Sequence, residues 1–183
     1  MLLRYLGYKL QNSVPIKTYS RCLSQKWCVI APLENIAEGL EFDMGNWLLH
    51  ITLADVHAAE WRQETLLDTF IKLVATIEPI TVRALAQGNL GSQEQPVRVT
   101  FIDKNHALLS AHQKIVWFIQ GHNGVFNNPE WNLDGYIPHS TVQRDTEVPE
   151  GMLLRINTLA LIDMFPNEDG KRRRVAKVIA LRS

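Results

Sequence analysis

Apolar positions along the chain fall into short runs of two kinds. Runs with β-branched and apolar character predict strands over Lys26 to Pro32 (KWCVIAP), Trp47 to Val56 (WLLHITLADV), Ile80 to Gln87 and Val97 to Ile102. The polar connection Gly88 to Pro96 makes the last two a hairpin, and Leu33 to Gly45 is expected to hold a turn or short helix. The helical period governs Ala59 to Ile77, through Leu66, Leu67, Phe70, Ile71, Val74 and Ile77, until Pro79 stops it. It returns over Asn105 to Ile119, and Gly121 to Asp134 is turn-rich. Tyr136 to Gln143 (YIPHSTVQ) is strand-like, and Pro138, which has no N–H to donate, places it at a sheet edge. Leu153 to Phe165 and Arg174 to Leu181, joined by a turn at Pro166 to Lys171, predict a terminal hairpin.

Residues 26 to 56 and 97 to 143 repeat one order: a strand, a helical or turn segment, then a strand that carries a histidine with a threonine two places on. Each such unit leaves an apolar sheet face that needs the other to bury it. The predicted fold is α+β, two lobes related by a pseudo-twofold, with antiparallel sheets lining a central cleft and helices outside. Residues 26–183 form a single two-lobed domain in this reading, and residues 1–25 an N-terminal extension folded against it. Residues Met1 to Arg21 lack acids but also lack the Arg and Ser density of a targeting segment.

Composition narrows the function by exclusion. Nineteen Lys plus Arg balance nineteen Asp plus Glu, so any phosphate recognition must be local rather than a basic surface. Cys22 and Cys28 are too few for a disulfide scaffold and have no zinc-ligand neighbours, which fits a reducing cytoplasm. No apolar run reaches the roughly 20 residues that span a bilayer.

The chemistry lies in His50-Ile51-Thr52-Leu53 and His139-Ser140-Thr141-Val142, 89 positions apart. Residues i and i+2 of a strand share a face, so each histidine lies beside its threonine while Ile51 and Leu53 turn to the core. Cleaving a phosphodiester needs one group to take a proton from the attacking oxygen and another to give one to the leaving oxygen. Two imidazoles do both near neutrality, and the hydroxyls of Thr52 and Thr141 are suitable donors to the non-bridging oxygens.

HITL and HSTV resemble the paired His-x-Thr/Ser-x motifs of the 2H phosphoesterase superfamily, and the chain resembles its 2′-5′ RNA ligase-like, cyclic phosphodiesterase branch over roughly Lys26 to Leu181. The resemblance implies a two-lobed fold with both histidines in a central cleft, His50 and His139 as acid and base, and Thr52 and Thr141 as phosphate contacts. It implies RNA ends or small nucleotides with a cyclic phosphate or 2′-5′ linkage as partners. The expectation is of no cofactor, no metal, no membrane and a monomeric chain. Only Arg144 to Gly151 separates the second motif from the next strand, which leaves little room there for a helix.

Arg144 and Tyr136 flank the second motif and are possible substrate contacts. His57, His106, His112 and His122 have no paired motif and read as structural or exposed. Lys171 to Arg174 reads as a solvated turn rather than a polynucleotide contact, because Glu168 and Asp169 adjoin it. The alternatives to a cyclic-phosphate enzyme are a hydrolase of cyclic oligonucleotide signals and a non-catalytic RNA- or nucleotide-binding module on the same fold.

Overall fold

The structure, a computed structural model, describes residues 25–182. The extension expected over residues 1–25, with Cys22, therefore lies outside the described residues except for Gln25. Among the described residues, ten strands and two α-helices follow one another as β1 (Lys26–Pro32), β2 (Glu41–Asp43), β3 (His50–Ala58), α1 (Glu64–Val74), β4 (Ile80–Gly91), β5 (Pro96–Ile102), α2 (His106–Gly121), β6 (Val125–Phe126), β7 (His139–Thr141), β8 (Leu153–Ile156), β9 (Thr158–Asp163) and β10 (Arg172–Ala180). They build a six-stranded sheet in the order β2-β10-β9-β1-β3-β6 and a four-stranded sheet in the order β7-β5-β4-β8. Every pairing is antiparallel. This is the expected α+β architecture.

Side-chain period explains which faces are hidden. In β3 the residues Ile51 and Leu53 are fully buried, while His50 and Thr52 between them remain partly open. Helix α1 buries Phe70 and Val74, and α2 buries Leu108, Ala111, His112, Ile115, Val116 and Ile119, one face at the i, i+3/i+4 spacing. Asn105 caps α2 by accepting from the Leu108 N–H at 3.0 Å. Trp61 joins the two helices, its ring 4.7 Å from Phe70 and 6.0 Å from Phe118. Helix α2 packs against both β3 and β4, so it spans the two sheets.

The repeat seen in the sequence survives in the strand register. β1 pairs with β3 so that Pro32 faces His50, and β5 pairs with β7 so that Phe101 faces His139. Each histidine thus starts a strand alongside the end of the strand two places earlier in the chain.

Several boundaries depart from the sequence reading: β3 starts at His50 rather than Trp47, β4 runs on to Gly91 into the expected connection, and the strand expected over Tyr136 to Gln143 is β7 over His139–Thr141 alone. Residues 33–45, expected as a turn or short helix, contain β2, which buries Phe42 and pairs with β10. The first helix starts at Glu64 rather than Ala59, because residues 59–63 turn to bury Trp61. The turn-rich segment after α2 contains the two-residue strand β6, paired with the end of β3. The run Leu153 to Phe165 is two strands in different sheets: β8 pairs with β4, and after the single residue Asn157, β9 pairs with β1 and β10. Apolar composition continues across Asn157, so nothing local marks the crossing.

The basic run is not a free turn. Arg172 pairs with Glu41 and Asp43, Arg174 with Asp163, and Arg173 is buried, donating to the carbonyls of Met164 and Gly170. These residues lie in β10 and bind it to its neighbours. The buried thiol of Cys28 is pushed up to about 12, by burial first and then by the nearby Asp55 carboxylate. Among the described residues no helix is long and apolar enough to cross a membrane.

Candidate active site

β3 of one sheet and β7 of the other approach within 8 Å, Cα to Cα, and this contact brings the two motifs together. The His139 imidazole is close enough for its charge to act on His50. Thr52 and His139, one from each motif, line a single cavity of about 400 Å³.

Both histidines are oriented in the same way. His50 Nδ1 lies 2.6 Å from the Leu48 carbonyl and His139 Nδ1 lies 2.7 Å from the Ile137 carbonyl, each two residues back along its own chain. A carbonyl only accepts, so Nδ1 carries the proton in both rings, and Nε2 of the neutral ring is left with a free lone pair. No protein group bonds either Nε2 among the described residues. The Trp47 ring supports His50 at 5.0 Å between centroids, and Arg173 lies 5.9 Å over the Trp47 ring. Burial, and secondarily the positive charge His139 can carry, push His50 below the ordinary histidine value against the opposing pull of the Leu48 carbonyl.

His57 shows what the same anchor looks like when it is structural. Its Nδ1 donates to the Asp55 carbonyl at 2.8 Å, but its Nε2 accepts from Trp61 Nε1 at 2.9 Å and the ring is fully buried. Burial pushes it down to about 4. His112 is also spent on both sides, donating to the Leu53 carbonyl and accepting from the Leu133 N–H, both at 2.9 Å. His106 and His122 are exposed on α2 and at its end.

The hydroxyls of Thr52 and Thr141 are half-buried and make no hydrogen bond among the described residues, which leaves both available to a ligand. Thr52 lines the cavity; Thr141, farther along β7, does not. Tyr136 also lines it, but its role is already filled. The ring is buried and stacks on His112 at 3.8 Å and 5°, and the hydroxyl donates to the Thr52 carbonyl at 2.8 Å. It fastens the segment leading into β7 to β3. Arg144 is exposed at the far end of β7 and donates to Glu34, whose carboxylate also accepts from the Leu49 N–H beside His50. Burial alone would raise Glu34, but these two partners hold its carboxyl below the usual range.

Sequence reasoning did not single out Glu34, Asp55, Trp131 or Asn132, all at or near the site. Asp55 is the instructive omission. Strict alternation along β3 puts it on the face opposite His50. The β1 register slips instead, Ile30 facing Thr52 and Val29 facing Ala54, so β3 carries an extra residue and Asp55 lines the same cavity as Thr52. Among the described residues, no three His, Cys, Asp or Glu side chains cluster as a metal site requires.

Compared by sequence, the chain matches no family model and no curated protein. Compared by structure, it is similar to LigT of E. coli in complex with 3′-AMP, at 15% identity over 87% of this chain and 99% of that one, with a TM-score of 0.54. A crystal structure of a phosphoesterase aligns with the same identity, coverage and score. The chain has the 2H phosphoesterase fold. TT0787 of Thermus thermophilus shares this 2H fold less extensively, at 18% identity over 74% of this chain and 79% of that one, with a TM-score of 0.50.

Proposed function

We propose that residues 26–183 work as one two-lobed phosphodiesterase that acts, without a metal, on 2′,3′-cyclic phosphates or 2′-5′ linkages of RNA ends and small nucleotides. The observation that carries this reading is the pair of imidazoles anchored alike through Nδ1 and open at Nε2, His50 at 2.6 Å from its carbonyl and His139 at 2.7 Å, on strands that meet between the two sheets. A pair of rings fixed in one tautomer is what concerted proton transfer requires. In hydrolysis of a cyclic phosphate, water attacks phosphorus while one Nε2 takes its proton. The bond from phosphorus to one ribose oxygen breaks, and the other imidazole, protonated, gives that oxygen its proton. Because the two rings are anchored alike, either can serve as base and the other as acid, the assignment following the orientation of the substrate. Hydroxyl donation from Thr52 and Thr141 neutralises the non-bridging oxygens as their charge redistributes.

The test is turnover of nucleoside 2′,3′-cyclic phosphates, 2′-5′ dinucleotides and a 3′-5′ cyclic dinucleotide, each with and without excess EDTA. Turnover of the first two classes that resists EDTA is expected. A requirement for a divalent ion, or turnover confined to the cyclic dinucleotide, overturns the proposal.

A further inference from the structure

The cavity lined by Thr52 and His139, which His50 does not line, has further lining residues of a distinct chemistry. At about 400 Å³ it falls in the range of small-molecule sites. Leu90, Val97 and Ile137 give apolar surface, and the Trp131 ring, 58% exposed, stands at its edge. Two polar side chains interrupt this wall. Asp55 has Oδ2 bound by Asn128 Nδ2 at 3.1 Å, while no hydrogen bond reaches its Oδ1 among the described residues. Asn132, only 5% exposed, donates through Nδ2 to the Asn128 carbonyl at 3.1 Å, and its buried Oδ1 has no partner.

Both unfilled atoms are acceptors, and Asn128 fixes the two side chains that carry them. Two of the donors lining the cavity are spent, His112 on the Leu53 carbonyl and the Tyr136 hydroxyl on the Thr52 carbonyl, so neither satisfies these acceptors. The turn is also tightly closed, since a Cβ at Gly135 would lie 1.8 Å from the Glu130 carbonyl oxygen, so the turn that presents Trp131 closes only with glycine there. A buried acceptor without a donor is costly, and a ligand that supplies the donor recovers that cost. The group needed is planar, to lie on Trp131, and carries an N–H₂ at its rim.

We propose that this cavity is a nucleobase pocket in which Asp55, with Asn132, selects bases that carry an exocyclic amino group: adenine, cytosine or guanine over uracil. The inference rests on the phosphodiesterase reading above for the ligand's phosphate, which lies at Thr52 and His139 while the base reaches Asp55. Uracil presents one imide N–H flanked by two carbonyl oxygens, and those oxygens meet the two acceptors. Sites built to hydrogen-bond one donor reject analogues lacking it strongly, because the buried partner is left unpaired.

The experiment compares the full chain with Asp55→Asn and Trp131→Ala on adenosine and uridine 2′,3′-cyclic phosphates, and measures binding of adenosine and uridine 3′-monophosphates by calorimetry. The wild-type chain is expected to favour adenosine at least about tenfold in kcat/KM and in binding, as loss of one such hydrogen bond implies. Asp55→Asn, which offers an amide in either orientation, brings the ratio near one. Trp131→Ala weakens both nucleotides and keeps the ratio, since stacking is indifferent to base identity. Equal binding of the two nucleotides by the wild-type chain, or an unchanged ratio in Asp55→Asn, overturns the pocket assignment. If neither cyclic phosphate is turned over but Asp55-dependent preference for the adenosine monophosphate remains, the reaction reading fails and the pocket stands.

Discussion

The two histidine strands make the same device from unequal material. β3 is nine residues long and lies between β1 and β6 in the larger sheet, with Ile51 and Leu53 fully buried beneath it. β7 is three residues long, lies at the edge of the smaller sheet, and is held by pairing with β5, by the Ile102 N–H on the Pro138 carbonyl, and by Tyr136 reaching across to β3. His50 is walled in by Trp47, whereas the segment after His139 ends in two residues with left-handed backbone, Arg144 and Asp145. One half of the site is a fixed post and the other is an attachment whose position depends on a few bonds. If the cleft admits and releases a nucleotide as proposed, it gains from that inequality, because an edge strand can shift without disturbing the main core.

The sharpest way to break the comparison is to remove the rings themselves. His50→Ala and His139→Ala should each lower kcat by about 10²- to 10⁴-fold, the range of general acid-base catalysis, and the double substitution should add little. Steady-state rates on a cyclic nucleotide decide it. A near wild-type rate in either variant removes that residue from the mechanism.

His57 lies on the same strand as His50 and separates folding from catalysis. Its folded value of about 4 lies below the ordinary 6.5, so the unfolded chain takes up a proton first on acidification. Stability from this group is complete above pH 6.5, falls between 6.5 and 4, and has gone below that, a loss on the order of 3 kcal/mol. Urea unfolding from pH 7 to pH 4 should show it, and His57→Gln should flatten the slope. An equally steep slope in the variant assigns the acid sensitivity elsewhere.

Smaller effects probe the attachment of β7. Tyr136→Phe deletes the hydrogen bond to the Thr52 carbonyl and should cost about 1 kcal/mol, or ~3 °C in Tm for a domain of this size. Because that bond spans the two motifs, kcat should fall in Tyr136→Phe while His57→Gln at pH 7 leaves it higher. Arg144→Ala removes an ion pair that is partly exposed on both sides, and its effect on stability should be under ~1 kcal/mol by thermal melt. A larger loss would make the Arg144–Glu34 clasp, rather than Tyr136, the principal tie of β7.

The sequence reading succeeds where side-chain period has no competitor. Ile51 and Leu53 report the buried face of β3, Leu108 to Ile119 report α2, and Pro138 reports an edge strand, each by a local rule. It misses features set by register and by distant pairing. The extra residue in β3 redirects Asp55 without changing composition, and Asn157 looks like any strand residue although the chain changes sheets there. Glu34 and Asn132 belong to turns, where no period exists, and their partners lie 110 positions away at Arg144 and at Asn128 within the same turn. The paired motifs were legible because their chemistry is written twice; Asp55 is written once.

The crossing at Asn157 also constrains how the molecule comes to be folded. The smaller sheet draws its strands from residues 80–156, whereas the larger needs β1 and β3 from the start of the domain and β9 and β10 from its end. During synthesis β1 and β3 can pair as they emerge, yet β1 waits for its second neighbour, β9, until the chain is nearly complete, while all four strands of the smaller sheet can already pair. Such long-separated pairing is slow, and the waiting strands are open to wrong partners. The half of the site that is firmest in the finished protein is therefore the last to be secured, and an arrested chain ending near residue 156 should carry an organised His139 lobe beside an unfinished His50 one.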